Sequence, residues 1–338
     1  MRTETRVQFD AYCEAIAKLN GVPSATKKFA VSPSVQQTLE DRIQESSDFL
    51  KLINMIGVSE QTGAKLGLGV GSPIASTTDT TAKDRQTSDV TDLDENGYNC
   101  TQTNFDTHLT YAKLDAWAKF KDFQTRIRNA IVRRQALDRI AIGFNGRSRA
   151  ATSDRAANPL LQDVNKGWLQ RMRDQAPQRV MDEGTKTAGK IIVGANGDYA
   201  NLDALVADLL ASMIDPWHQD DTALVVLCGR GLLHDKYFPL INKTQAPSEM
   251  LAADVIQSQK RIGGLPAAAV PFFPANAVMI TSYDNLSIYF QDGARRRTIE
   301  DNAKRDRVEN YESSNDAYVV EDLGRAAVAE NIEIAPAA

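Results

Sequence analysis

Between residues 72 and 92 the chain is mostly Ser, Thr and Asp, with only Pro73, Ile74, Ala75, Ala82 and Val90 offering apolar surface. Such a stretch cannot form its own core. A coreless loop of about 20 residues is uncommon inside a compact domain unless it is disordered or works as an arm. Its flanks read as strands. Leu66, Leu68 and Val70 alternate with glycines, and Phe105, Thr107, Leu109 and Tyr111 repeat at the same period of two. Residues 57–111 are therefore expected to form a long two-stranded projection. An isolated hairpin is marginal in water, so this one is expected to gain order by lying on another surface, such as a neighbouring subunit.

From Lys113 to Phe144 the residues Leu114, Trp117, Phe120, Phe123, Ile127, Ile131, Leu137, Ala141 and Phe144 keep to one broad stripe, and Asn145-Gly146 closes it. At about 1.5 Å per residue this predicts a helix of about 48 Å. That is the diameter of a compact monomer of this size, about 50 Å, so the helix serves as a backbone for other parts. It carries Lys113, Lys119, Lys121, Arg126, Arg128, Arg133, Arg134 and Arg139 against Asp115, Asp122 and Asp138. Either an acidic partner (nucleic acid or a subunit surface) or a solvated face with amphipathic stems accounts for them. The whole chain has 39 basic and 44 acidic residues, a net charge of −5, which argues against a surface that is entirely a nucleic-acid footprint.

Upstream, Phe9, Tyr12, Cys13, Ile16 and Leu19 fall at helical spacing before the Asn20-Gly21 stop. This short amphipathic helix reads as a partner-binding element or as core. Gly21 to Val31, with Pro23, Ser24 and Lys27-Lys28, reads as an exposed, cleavable linker. Ser32-Pro33 then opens a second helix running to about Leu50. Nothing in the first 20 residues matches a secretory signal, so export is not expected.

In the second half, Leu202, Leu205, Val206, Leu209, Leu210 and Met213 predict a helix, Ala223 to Cys228 a buried strand, and Leu232 to Leu240 and Ala252 to Gln259 further helices. Strands are expected at residues 277–281, 286–290, 307–311, 317–321 and 326–334, with Asp292-Gly293 as a turn. The fold class is α+β.

Chemical motifs are weak. Gly184 to Lys190 has P-loop spacing, but Ile191 replaces the magnesium-binding hydroxyl and a strand follows instead of a helix. Gly67-Leu68-Gly69-Val70-Gly71 lacks the helix of a dinucleotide motif. His108, His218 and His234 show no ligand spacing, and Trp217 to Asp221 reads as a solvated loop. Cys13, Cys100 and Cys228 are odd in number and far apart, which indicates neither disulfides nor zinc and fits a reducing setting. No catalytic, cofactor-binding or metal-binding residue is expected, and the chain is read as a non-enzyme.

Several long segments carry a family resemblance: residues 45–50 (ESSDFL), 74–80 (IASTTDT), 122–124 (DFQ) through 145–146 (NG), 248–254 (SEMLAAD), 307–312 (RVENYE) and 318–322 (YVVED). In this order the chain resembles, almost end to end, the major capsid proteins of tailed bacteriophages in the phage P2 group. The resemblance implies an HK97-type capsid fold: residues 1–56 as N-terminal arm, 57–111 as extended loop, 112–197 as peripheral domain with spine helix, 198–271 as axial domain and 272–338 as closing strands. It implies a virion shell protein assembled in the bacterial cytoplasm into pentamers and hexamers around double-stranded DNA. The implied partners are an internal scaffold and protease, and a portal protein. Ile74, Asp79, Lys83 and Arg85 are expected inter-subunit contacts, and Phe9, Tyr12, Ile16 and Leu19 the scaffold-facing helix. The linker at Phe29-Ala30 is the expected processing point. Some such shells cross-link a loop lysine to a neighbour's asparagine; Lys83 stands where one could sit, but neither partner is identifiable and no cross-link is expected. Rival readings are an encapsulin-like compartment of the same fold, a phosphate-binding cytosolic enzyme using Lys190, and a DNA-binding module built on the basic spine.

Overall fold

A computed structural model describes residues 1–67, 75–85, 87, 92–117, 123–233, 236 and 260–335. Helix α1 (Thr3–Asn20) ends as the Asn-Gly pair predicts: Gly21 takes φ 65°, and the Gly21 and Val22 amides return to Lys18 O and Ala17 O. Strand β1 (Phe29–Ala30) precedes helix α2 (Pro33–Glu45), which starts at the expected proline but stops five residues short of Leu50. Ser32 makes no side-chain cap there. Strands β2 (Asn54–Val58), β3 (Thr62–Gly67), β4 (Asp92–Asn99), β5 (Thr101–Asn104) and β6 (Thr107–Thr110) lead into helices α3 (Tyr111–Trp117) and α4 (Phe123–Asn145). Residues 118–122 of the expected spine, and the expected helix at 252–259, lie outside the described residues.

Helix α5 (Trp168–Gln175), strands β7 (Val180–Met181) and β8 (Ile191–Val193), helix α6 (Leu202–Met213) and strand β9 (Val225–Cys228) follow. The chain closes with β10 (Arg261–Ile262), β11 (Leu265–Ala269), β12 (Val278–Thr281), β13 (Leu286–Gln291), β14 (Arg296–Asn302), β15 (Arg307–Val320), β16 (Ala327–Ala329) and β17 (Ile332–Ile334). The two strands expected at 307–311 and 317–321 are one continuous strand, β15. The single run expected at 326–334 divides into β16 and β17, which enter different sheets because Asn331 adopts φ 55° between them.

Two sheets organise the molecule. In the first, β15 pairs antiparallel with β14, β13, β5 and β6, while β1 borders β14 and β2 lies parallel to β13. In the second the order is β10-β11-β9-β12-β16-β7. Its apolar runs are explained by burial on both faces. Val225, Leu227, Met279 and Val328 join the cluster around α2, α4 and α5, while Val226, Cys228, Ile280 and Ala327 join the cluster under α6. This sheet takes β9 and β11 from one expected segment and β12 and β16 from another.

At the centre of the first cluster Trp168 is fully buried, its indole N–H donating to Ser287 O at 3.0 Å and its rings edge-on to Phe49, Phe144 and Tyr318. Helix α4 comes close enough to receive it because residue 143 is glycine: a methyl there would lie 2.2 Å from the indole ring.

Candidate functional site

The projection expected at 57–111 is built from β3 and β4, which pair antiparallel with a bulge between Gly63 and Lys65. Its base is pinned by Tyr98, whose ring meets Tyr289 of the first sheet at 5.0 Å, edge to face. Beyond the strands, residues 75–85 are exposed without exception. Asp79 closes a local turn there: its carboxylate accepts the Thr81 amide at 3.0 Å and the Thr81 hydroxyl at 2.6 Å, bonds that hold its pKa below the usual range. Lys83 and Arg85 stand in solvent beside it. Ile74 lies outside the described residues.

Helix α1 rests on its own chain. Ile16 and Ala17 are buried against Ile299 and Val308 of β14 and β15, with Phe9 and Tyr12 packed alongside. Leu19 points away and is 64% exposed. Polar contacts flank this seat: the Arg6 guanidinium donates to Asp301, the Tyr111 hydroxyl donates to the same carboxylate, and Arg297 donates to the Tyr12 hydroxyl at 3.2 Å. The linker is partly tied down, since Ala25, Phe29 and Val31 are buried and Phe29 and Ala30 pair with Arg297 and Arg296. Three of the four residues expected to face a partner thus face this chain's own sheet.

The densest chemistry is an ion network that joins α2, α4 and the first sheet. Glu40 of α2 accepts from Arg139 of α4 and, at 2.6 Å, from Arg295 just before β14. Arg139 also donates to both oxygens of Asp316, at 3.1 and 3.2 Å, while Arg295 donates to Glu312 at 2.6 and 2.9 Å. Gln135 completes it, accepting from Arg295 at 2.8 Å and donating to Glu312 at 3.1 Å. Arg139, Arg295 and Asp316 are wholly buried and Glu40 nearly so. Burial alone would raise all three carboxyl pKa values. At Glu40 and Glu312 the guanidiniums outweigh it and hold the pKa low; at Asp316 burial and the charge of Glu40 win, and its pKa is raised. Two buried guanidiniums thus face three carboxyls.

Residues 68–71 of the glycine run lie outside the described residues. The amides of Lys186 and Ile192 donate to Asp198, at 2.9 Å each, so the loop that resembles a phosphate cradle already closes on an internal carboxylate. The Lys190 ammonium pairs with Glu333 at 2.7 Å. Isothermal titration with nucleotides is expected to give no heat; a saturable signal would return Lys190 to a binding role. His218 lies 2.9 Å from Asp322, His108 is exposed, and His234 lies outside the described residues. No group of metal-ligating side chains occurs among the described residues.

Comparison with known proteins decides the family. A family model described as "Phage major capsid protein, P2 family" matches residues 8–332. The capsid protein of Escherichia phage P2 is 56% identical over 342 residues, covering 99% of this chain and 96% of that one. The major capsid protein of Serratia phage KSP20 is 43% identical, covering 99% and 98%. The chain belongs to the P2 family of phage major capsid proteins. Among solved structures, a procapsid of satellite phage P4 that includes the size determination protein matches all of both chains, at TM-score 0.84 and 53% identity. The capsid of an empty GTA particle shares only the fold, at TM-score 0.53 and 15% identity over 85% of this chain and 90% of that one. The architecture is HK97-like α+β.

Asp79, Lys83 and Arg85 lie together on an exposed projection, and Phe9, Tyr12 and Ile16 lie together against the sheet. The network of Glu40, Gln135, Arg139, Arg295, Glu312 and Asp316 was not legible in the sequence. Arg139 offered no local signal, since a position two residues from Leu137 and Ala141 lies on the face of the helix opposite the apolar stripe. A solvated basic face does not describe it.

Proposed function

We propose that this capsid protein tiles an icosahedral shell as pentamers and hexamers around phage double-stranded DNA, assembling in the host bacterial cytoplasm with an internal scaffold and protease and a portal protein. In this reading residues 1–56 are the arm, 57–111 the loop reaching a neighbour, 112–197 and 272–338 the peripheral domain, and 198–271 the axial domain. The run 75–85, exposed at every residue, carries the reading. An extended segment of about 15 residues spans about 50 Å, enough to leave one subunit and cross onto the next. Burial between copies then supplies the stability that the isolated hairpin lacks. Electron microscopy of the chain co-expressed with its scaffold is expected to show closed shells; a persistent monomer at high concentration would refute this.

The arm suits a temporary role. Helix α1 is held by a few side chains and by a strand of two residues, so the segment opens locally before α2 does. Cleavage near Phe29-Ala30 needs that opening, because Phe29 is buried while paired with β14. Intact-mass measurement on mature heads is expected to show a chain shortened by about 30 residues, the length of the segment before α2. Full-length chain throughout would reject the trimming.

A further inference from the structure

The projecting hairpin bends close to its base. Strands β3 and β4 pair at Thr62 with Asn99 and at Gly63 with Tyr98, and pairing resumes at Lys65 with Asp94, so the three β4 residues 95–97 face Ala64 alone. Extra residues on one strand bend a ribbon and increase its twist at that point. Two strands alone do little to stiffen such a bend. The direction of the outer part therefore depends on what holds the sheet side of the bulge.

Tyr98 holds it. Its ring lies across the opposite glycine, since a methyl group at residue 63 would fall 2.7 to 2.8 Å from the phenol oxygen and ring carbons. A ring laid over a cross-strand glycine covers backbone that has no side chain of its own. Tyr289 of β13 meets the same ring edge-on at 5.0 Å, and the Tyr289 hydroxyl donates to the Glu321 carboxylate, 3.0 and 3.2 Å from its two oxygens. Below the ring the strands are cross-tied: the Cys100 amide donates to Gln61 O at 2.8 Å, and Gln61 Nε2 donates to Cys100 O at 3.2 Å. Above it Gly97 lets the backbones touch, because a methyl there would lie 2.5 Å from Gly63 O.

We infer that Tyr98, seated between Gly63 and Tyr289, is the positioning residue that fixes the direction in which the projection leaves the subunit, with Glu321 holding Tyr289 ready to receive it. The ring acts through the bulge and touches no other copy. Without it both strands stay paired, but the bend is no longer tied to the first sheet. A shell of one diameter needs every copy to present its projection at one angle, so Tyr98 governs the uniformity of the shell. This rests on the reading of residues 57–111 as an inter-subunit loop and adds the residue that aims it.

The test is shell formation after co-expression with the scaffold, scored by yield and by the spread of diameters in electron micrographs. Tyr98→Ala is expected to lower the yield of closed shells of wild-type diameter about tenfold, the factor that an edge-to-face pair supplies, with the remainder open or of mixed size. Tyr98→Phe keeps the ring and is expected to match wild type. Glu321→Ala, which leaves the Tyr289 hydroxyl unheld, is expected to fall between. Tyr98 is half-buried, so the unassembled Tyr98→Ala chain is expected to melt with wild type; if it melts lower, Glu321→Ala decides by the same score. Uniform shells at wild-type yield from either alanine variant overturn the assignment, as does equal failure of Tyr98→Phe and Tyr98→Ala. A lower yield with diameters unchanged would make Tyr98 merely structural and also overturn it. Absence of shells from the unaltered chain would instead refute the shell reading itself.

Discussion

Replacing Arg139 by Met is expected to destabilise the subunit by about 3–5 kcal/mol, because it leaves Asp316 buried without its cation and Glu40 with only one. Glu40→Gln, which strips both guanidiniums of a shared carboxylate, belongs in the same range. Asp316→Asn is expected to behave differently. It keeps the side-chain shape and leaves two guanidiniums facing two carboxylates, so its cost should stay near 1 kcal/mol. Urea unfolding of the unassembled chain measures all three. Equal losses for Asp316→Asn and Arg139→Met would show that charge count plays no part.

The network also gives the fold opposed pH dependences. Glu40 and Glu312 have lowered pKa values, so their stabilisation is complete above the unfolded value, about 4.3, and disappears as the pH falls through their folded values. Asp316 has a raised pKa, so its contribution is present below about 3.9 and is lost as the pH rises through its folded value. Asp316→Asn should remove the alkaline-side loss and leave the acid-side loss intact. Stability curves of the variant and wild type that run parallel at all pH values would contradict this.

The second large effect lies at the crossing of α4 and α5. Trp168→Ala removes a fully buried indole, its hydrogen bond to Ser287 and three ring contacts, an expected loss of about 3–5 kcal/mol. Gly143→Ala should also destabilise. Alanine in mid-helix gains about 1 kcal/mol over glycine. Here the methyl would overlap the indole, and overpacking costs about 1–3 kcal/mol. In a Trp168→Ala background that overlap is gone, so Gly143→Ala should turn neutral or stabilising. Thermal melts of the four proteins in this cycle decide it, and strict additivity would mean that helix and ring do not touch.

Periodicity carried most of the local structure. The α1 stop at Gly21, the α6 stripe and the turn at Gly293 stand where spacing and turn chemistry predict them, and the strand expected over Ala223 to Cys228 forms from Val225 onward. Strand β14 escaped because Arg296–Asn302 is largely polar: only Ile299 reaches the core, while Arg297 finds Asn310 across the sheet at 2.8 Å. Helix α5 escaped because it has eight residues and little apolar length, although Trp168 makes it central.

By itself the sequence determined that residues 72–92 cannot hold a core and that the chain is a capsid subunit of the P2 family, because apolar spacing and ordered motifs are written in neighbouring residues. Only the tertiary structure decided where the charges of Arg139 and Arg295 go. The partners of Arg139 lie 99 and 177 positions away, in α2 and β15. An arginine looks solvent-bound in any local window, and it enters the interior only when chain segments distant in sequence bring carboxylates to meet it and offset its lost hydration.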